Sequence, residues 1–222
     1  TDEQKASTKK AILNKDFRQA VNFGFDRKSY AAQVSGSDAA EKTLRSTLVP
    51  PTYVQINGED FGKAVEKQLV TYGDQWKGVS LEDGQTSLYN PEKAKASFTK
   101  AKAELQKQGV QFPIHLDYIV SQVDSSMVQQ ASSFKQSVES TLGAENVVVD
   151  LQKVSDDDFQ NITYFSDNAA ARDYDISGGG WQPDYQDPST YLESISPVNG
   201  SVSYYLGIDA GSNNPAIATV GL

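Results

Sequence analysis

Cysteine is absent from all 222 residues. That removes disulfides, thiolate nucleophiles and cysteine metal ligands. Histidine occurs once, as His115, so neither a histidine relay nor a multi-histidine metal site has material to build from. His115 falls on the alternate face of a predicted strand and reads as a structural or surface residue; no nucleophile elbow accompanies it. No apolar run approaches membrane-spanning length. Basic residues are outnumbered, 20 against 29 acids, and the net charge of -9 argues against nucleic acid as a partner. The first residues, Thr1-Asp2-Glu3-Gln4-Lys5, lack the apolar region of a signal peptide. With 38% apolar and 22% charged residues, the composition is that of a globular protein with enough chain to bury a core.

The strongest patterns lie in the middle of the chain. Asn90 followed by Pro91 reads as an N-cap and first helical residue, with Ala94, Phe98, Ala101 and Leu105 as the apolar stripe and Gly109 as the stop. Alternation from Phe112 to Val120 predicts a strand with Ile114, Leu116, Tyr118 and Val120 on one face. A helix from about Ser125 to Leu142 places Met127, Ala131, Phe134, Val138 and Leu142 on one stripe, ending at Gly143. Val147-Val148-Val149 reads as a buried strand. Strand, long helix and strand make a βαβ unit, hence parallel pairing. Ser155 then caps a short helix through Phe159 and Ile162, and a strand is expected over Asp173–Gly180.

The N-terminal part is weaker. Residues 3–13 form a weak helix, Asp16 caps a stronger one, and Asp26 starts a further turn or two. Gly36-Ser37-Asp38 reads as a break and 43–58 as an extended loop; Phe61, Val65 and Leu69 give a short helix, and 73–88 a surface loop. After Ile195 the chain is polar and irregular, with a short strand expected at Val202–Leu206. Residues 1–222 read as one α/β unit with an open mixed sheet flanked by helices.

One stretch carries chemistry: Tyr174-Asp175-Ile176-Ser177-Gly178-Gly179-Gly180-Trp181-Gln182-Pro183-Asp184-Tyr185-Gln186-Asp187-Pro188. It places three glycines, a tryptophan and a carboxylate at the C-terminal end of a strand, where ligands of open α/β sheets bind. Bare glycine backbone can pair with an extended peptide as an added strand, and Asp184 can take a charge-assisted hydrogen bond from a primary amine. On spacing alone a glycine-rich loop with a surface acid is an equal reading. Asp184 and Asp187 also form a candidate glycosidase pair, with Trp181 and Tyr185 stacking on sugar, although Asp187 is already expected to cap a helix. The run Asp156-Asp157-Asp158 lacks calcium-loop spacing and fits the acidic first turn of a helix.

The Trp181-x-x-Asp184-Tyr185…Asp187-Pro188 pattern resembles the signature of family 5 extracellular solute-binding proteins, the peptide- and nickel-binding subunits of ABC importers. Asp16-Phe17-Arg18-Gln19-Ala20-Val21…Asp26-Arg27, Tyr89-Asn90-Pro91-Glu92-Lys93-Ala94 and Phe134–Val149 resemble further stretches of the family, in its order, over about residues 14–195. The wording is nearest to oligopeptide-binding lipoproteins of the streptococcal Ami/Ali type. The resemblance implies a periplasmic-binding-protein-like, peptide-binding type II fold of two lobes, of which residues 1–222 are the second. It implies oligopeptides as ligands, a membrane permease and the first lobe as partners, no cofactor or metal, no enzymatic activity, and a lipid-anchored place on the extracellular face of the cell membrane. It puts the peptide ammonium on Asp184, main-chain pairing on Gly180 and Gln182 beside Gly178 and Gly179, and the cleft walls on Trp181 and Tyr185. Ser121, Gln122 and Asp124, after the Phe112–Val120 strand, are further ligand-facing candidates. Some relatives carry a basic side chain just before the tryptophan to hold a short peptide's carboxylate; here Gly178 and Gly179 stand there, and longer peptides are expected to fit. Without a histidine nearby, nickel is disfavoured.

Overall fold

The computed structural model describes residues 1–44, 47–82, 88–166, 171–180, 182, 183, 185, 187–194, 196 and 200. Two helices open the chain, α1 (Asp2–Leu13) and α2 (Lys15–Gly24), and Asn14 both ends the first and starts the second. The Asn14 side chain accepts the Phe17 amide. The cap expected at Asp16 is therefore two residues upstream, and Asp16 lies in the first turn, where its charge meets the helix dipole. Asp26 does cap α3 (Arg27–Ser35), accepting the Ser29 amide.

Gly36, at φ 75°, reverses the chain into α4 (Ser37–Thr43), so the expected break is one residue long and a helix follows it. A small antiparallel hairpin, β1 (Gln55–Ile56) with β2 (Glu59–Asp60), lies where an extended loop is expected. Its turn is Asn57-Gly58, both at positive φ, the conformation a two-residue hairpin turn demands. Then comes α5 (Phe61–Val70) and a single 3₁₀ turn at Asp74–Trp76. Val79, Leu81 and Leu88 are buried against Val65, Leu69 and Trp76. The segment read as surface loop thus covers the apolar side of α5 with a small core of its own.

From residue 90 to residue 163 sequence and structure agree closely. Asn90 accepts the Lys93 amide, Pro91 is the first residue of α6 (Pro91–Lys107), and Gly109 follows at φ 73°. Next come β3 (Ile114–Ser121), α7 (Ser125–Leu142) and β4 (Val147–Val154). β3 and β4 pair in parallel from Ile114↔Val147 to Ser121↔Val154. Ser155 caps α8 (Asp156–Thr163). β5 (Ile176–Ser177) pairs in parallel with the other edge of β3, through Tyr118↔Ile176 and Ile119↔Ser177. It is shorter than the expected Asp173–Gly180 strand. Asp187 caps α9 (Pro188–Glu193). The strand expected at Val202–Leu206 lies outside the described residues. The sheet order is β4-β3-β5, all parallel among the described residues; antiparallel pairing is confined to β1 and β2.

Ile114, Leu116, Tyr118 and Val120 are all buried on one face of β3. With Val147 and Val149 of β4 they meet Phe17, Ala20 and Phe23 of α2, Phe98 and Leu105 of α6, and Phe134 and Val138 of α7 in one apolar cluster. On the opposite face, the Ser121 hydroxyl donates to Asp156 at the start of α8 (2.9 Å). Helices thus flank both faces of a small parallel sheet. The start of α6 is tied to the end of α2 by the Asn90 amide donating to the Phe23 carbonyl. Phe23 is fully buried, its ring 5.2 Å from Trp76. Phe23→Ala should cost about 3–5 kcal/mol in urea unfolding, because it opens a cavity among close-packed groups. Leu13→Ala, at a side chain 53% exposed, should stay within about 0.5 kcal/mol.

Candidate functional site

β3 and β4 end together, and each is followed by a capped helix. The Gln122 amide donates to the Val154 carbonyl, the last rung of the ladder. The Asp124 amide then donates to the Ser121 carbonyl while the Asp124 carboxylate accepts the Met127 amide at the start of α7 (3.0 Å). Ser155 does the same for α8, accepting the Asp158 amide (3.1 Å). Two helix N-termini and their acids, Asp124 and Asp156-Asp157-Asp158, therefore stand at the C-terminal end of the sheet. α8 leads from β4 past Ser121 of β3 towards the chain that leaves β5.

That chain is Gly178-Gly179-Gly180. Among the described residues β5 pairs only with β3, so its outer edge has no strand partner. The first two glycines face opposite sides, as successive residues of an extended chain do. A Cβ on Gly178 would sit 3.6 Å from the Tyr118 hydroxyl and 3.8 Å from that of Tyr30. A Cβ on Gly179 would sit 3.6 Å from the Tyr164 hydroxyl, and one on Gly180 would meet nothing. Tyrosine hydroxyls thus flank the glycine edge on both faces. They go unread in the sequence because they come from α3, β3 and the end of α8; only Tyr118 has a signal, its place on the apolar face of β3.

The other expected site residues divide by placement. Gln182 and Tyr185 are exposed beyond the glycines, Tyr185 at 73%. Trp181 and Asp184 lie outside the described residues. Ser121 and Asp124 are at the same end of the sheet, but Ser121 is buried on Asp156 and Asp124 holds the α7 cap; Gln122 is exposed beside them. Arg172, just upstream, is buried and donates to the Thr163 carbonyl, so its charge is directed into the fold rather than to the glycines. His115 contacts Asp150 (2.7 Å) near the N-terminal ends of the strands, in the wall of a 410 Å³ cavity beside α1. That cavity is also lined by Tyr174 and Asp175, just upstream of β5, and by none of the three glycines. A separate apolar cavity of about 360 Å³ is lined by Val49, Val65, Leu69, Leu81 and Leu192 of α9. Tyr191 of α9 packs on Tyr53, their ring centroids 6.2 Å apart.

The Asp187 carboxylate accepts from both the amide and the hydroxyl of Ser189, at 2.8 and 2.6 Å. Those bonds hold it below its ordinary 3.8. Because the folded value is the lower one, the cap stabilises α9 above pH 3.8 and is lost as the pH falls through the depressed value. Amide-exchange protection of Ser189 should therefore collapse in acid. In Asp187→Asn, which keeps an acceptor without the charge, protection should vary little over the same range. An identical acid response in both would rule this out.

A match to the model of bacterial extracellular solute-binding proteins, family 5 Middle, runs over residues 4–201. The chain is 58% identical over 224 residues to the oligopeptide-binding protein AliA of Streptococcus pneumoniae, covering all of this chain and 34% of that protein. It is 54% identical over 223 residues to the oligopeptide-binding protein SarA of Streptococcus gordonii, with the same coverage of each. It therefore spans about a third of the length of these curated relatives. A crystal structure described as a peptide ABC transporter, peptide-binding protein superposes with a TM-score of 0.58 at 24% identity, over 90% of this chain and 71% of that one. Listeria monocytogenes OppA bound to peptide does so with a TM-score of 0.58 at 22% identity, over 92% and 33%. The fold is that of type II periplasmic-binding-protein-like, peptide-binding proteins. The chain belongs to family 5 of the bacterial extracellular solute-binding proteins.

Proposed function

We propose that this family 5 chain supplies the peptide-contacting lobe of an oligopeptide-binding protein serving an ABC importer. Residues 1–222 form one α/β lobe, the first lobe closes on it over the ligand, and a membrane permease receives the peptide. The whole protein works on the extracellular face of the cell membrane, held there by a lipid anchor. The role is capture, not catalysis.

One observation carries the reading: the outer edge of β5, which has no strand partner among the described residues, runs into three glycines at the C-terminal end of a parallel sheet. An extended peptide added there bonds to main-chain groups of Gly178, Gly179, Gly180 and Gln182. Such pairing is independent of ligand side chains, so many peptides fit. Trp181 and Tyr185 wall the cleft. Asp184 takes the α-ammonium, with the acids at the starts of α7 and α8 adding to a potential that draws the cationic end of a peptide. In the β3–α7 turn, Gln122 offers the ligand an exposed side chain, whereas Ser121 and Asp124 are committed to the fold. The hydrolase alternative needs a second carboxylate, and Asp187 is committed to Ser189.

Calorimetry on the full-length protein tests this. Acetylating the peptide amine, or Asp184→Asn, should weaken binding by on the order of thirtyfold, about 2 kcal/mol, because each leaves a desolvated charge without its partner. Unchanged affinity in Asp184→Asn would remove Asp184 from the site. A series of peptides differing by single residues checks the absence of a basic clamp. Affinity should vary smoothly with length; a single accepted length would mean that another group holds the carboxylate.

A further inference from the structure

We propose that the Tyr30 hydroxyl donates a hydrogen bond to an acceptor oxygen of the bound peptide at the glycine edge. The inference rests on the peptide-binding reading and adds a hydroxyl contact to it. Tyr30, on α3, and Tyr118, on β3, bring their hydroxyl oxygens within 3.3 Å of each other. Two hydroxyls carry two protons, and the bond between them uses one. Tyr118 is 3% exposed, and among the described residues its hydroxyl has no acceptor besides Tyr30. Tyr118 is therefore the donor of the pair. Burial and its bond to Tyr30 both push the Tyr118 phenol above its ordinary range, as expected for a desolvated donor. The remaining proton belongs to Tyr30, which is half-buried and can be reached.

Gly178 makes that proton accessible. A Cβ there would already touch both hydroxyls, at 3.6 and 3.8 Å, and any longer side chain would lie across them. A strand added to a sheet edge lies about 4.8 Å away and advances about 3.3 Å per residue, so main-chain oxygens pass this point whatever the sequence. A neutral phenol suits such an acceptor without demanding a terminal charge. The acceptor is a main-chain carbonyl or the peptide's terminal carboxylate; both present the same oxygen chemistry.

The test uses the full-length protein with two probes, hexa-alanine and a hexapeptide of alternating lysine and alanine, each as free acid and as C-terminal amide. Calorimetry compares wild type, Tyr30→Phe and the double variant Tyr30→Phe/Tyr118→Phe, and unliganded melting temperatures are recorded. Replacing both hydroxyls by apolar rings of the same shape should leave the unliganded protein as stable or more so. Affinity should fall roughly three- to tenfold, the worth of one neutral hydrogen bond. Equal losses on acid and amide identify a carbonyl as acceptor, and loss on the acid alone identifies the carboxylate; either outcome upholds the proposal. Wild-type binding with undiminished affinity in both variants overturns it and leaves the peptide reading standing. A lowered melting temperature with unchanged affinity also overturns it, as the mark of a purely structural pair. A wild-type protein that binds neither probe takes down the peptide reading, and this inference with it.

Discussion

The parallel pairing of β3 with β4 fixes the sheet end at which the proposed site is built. Parallel neighbours cannot be joined by a tight turn, so a crossover is required, and α7 provides it. The register runs without slip from Ile114↔Val147 to Ser121↔Val154, so both strands end at one level. Each end is followed by a short polar cap, Asp124 or Ser155, that starts a helix. A slip of one residue would turn Ile114, Leu116, Tyr118 and Val120 from the buried face to the other. It would also carry the Tyr118 hydroxyl away from Gly178. The same periodicity that builds the core therefore aims a side chain at the proposed site.

The residues that make the family resemblance legible do two different jobs. Arg18 donates to the Ile12 carbonyl, and Arg27 to the Asn22 carbonyl and side chain while lying over the Phe25 ring. Burial lowers Arg27 to about 10, so its charge is retained at neutral pH. These arginines lock the α1–α2 and α2–α3 corners. Asn90-Pro91 and Asp187-Pro188 are helix starts. Under the proposed function, the glycine stretch and the few residues C-terminal to it are the part of the resemblance that bears on the ligand. The absence of an arginine there is not made good by Arg172, which is buried on the Thr163 carbonyl.

How much of this could be read from the chain depends on how local its cause is. The boundaries of α7 and the caps at Asn90, Ser155 and Asp187 follow from residues within one turn of each other, and the parallel βαβ unit follows from the order strand, long helix, strand. The cap of α2 falls at Asn14 rather than Asp16; both suit a helix start, and only geometry shows which one holds the amide. Asn57-Gly58 is a hairpin signal, yet its strands are two residues each and have no alternation to reveal them. Val79, Leu81 and Leu88 sit among polar residues, and their burial is decided by the apolar side of α5. The tyrosine pair is the extreme case. Its members stand 88 residues apart, and neither shows a local pattern that points to the other.

Three glycines in a row raise a physical difficulty for a binding edge. Glycine loses more conformational freedom on ordering than any other residue, so a bare glycine strand is a poor template. A template ordered only when the ligand arrives would charge that entropy to affinity. Here the tyrosines meet the difficulty. Tyr118 and Tyr30 stand against one side of Gly178, Tyr164 against the opposite side of Gly179, and Ile176 is pinned to Tyr118 by the ladder. The segment is narrowed from both faces, and among the described residues no strand pairs with its outer edge, although the Gly178 carbonyl accepts the Ser177 hydroxyl (3.3 Å). Larger residues at 178 and 179 would order the chain through their own side chains, but they would also cover the hydroxyls and impose a preference on the ligand. Framing a featureless edge with residues from elsewhere in the fold gives order without selectivity, the combination that the proposed capture of many peptide sequences requires.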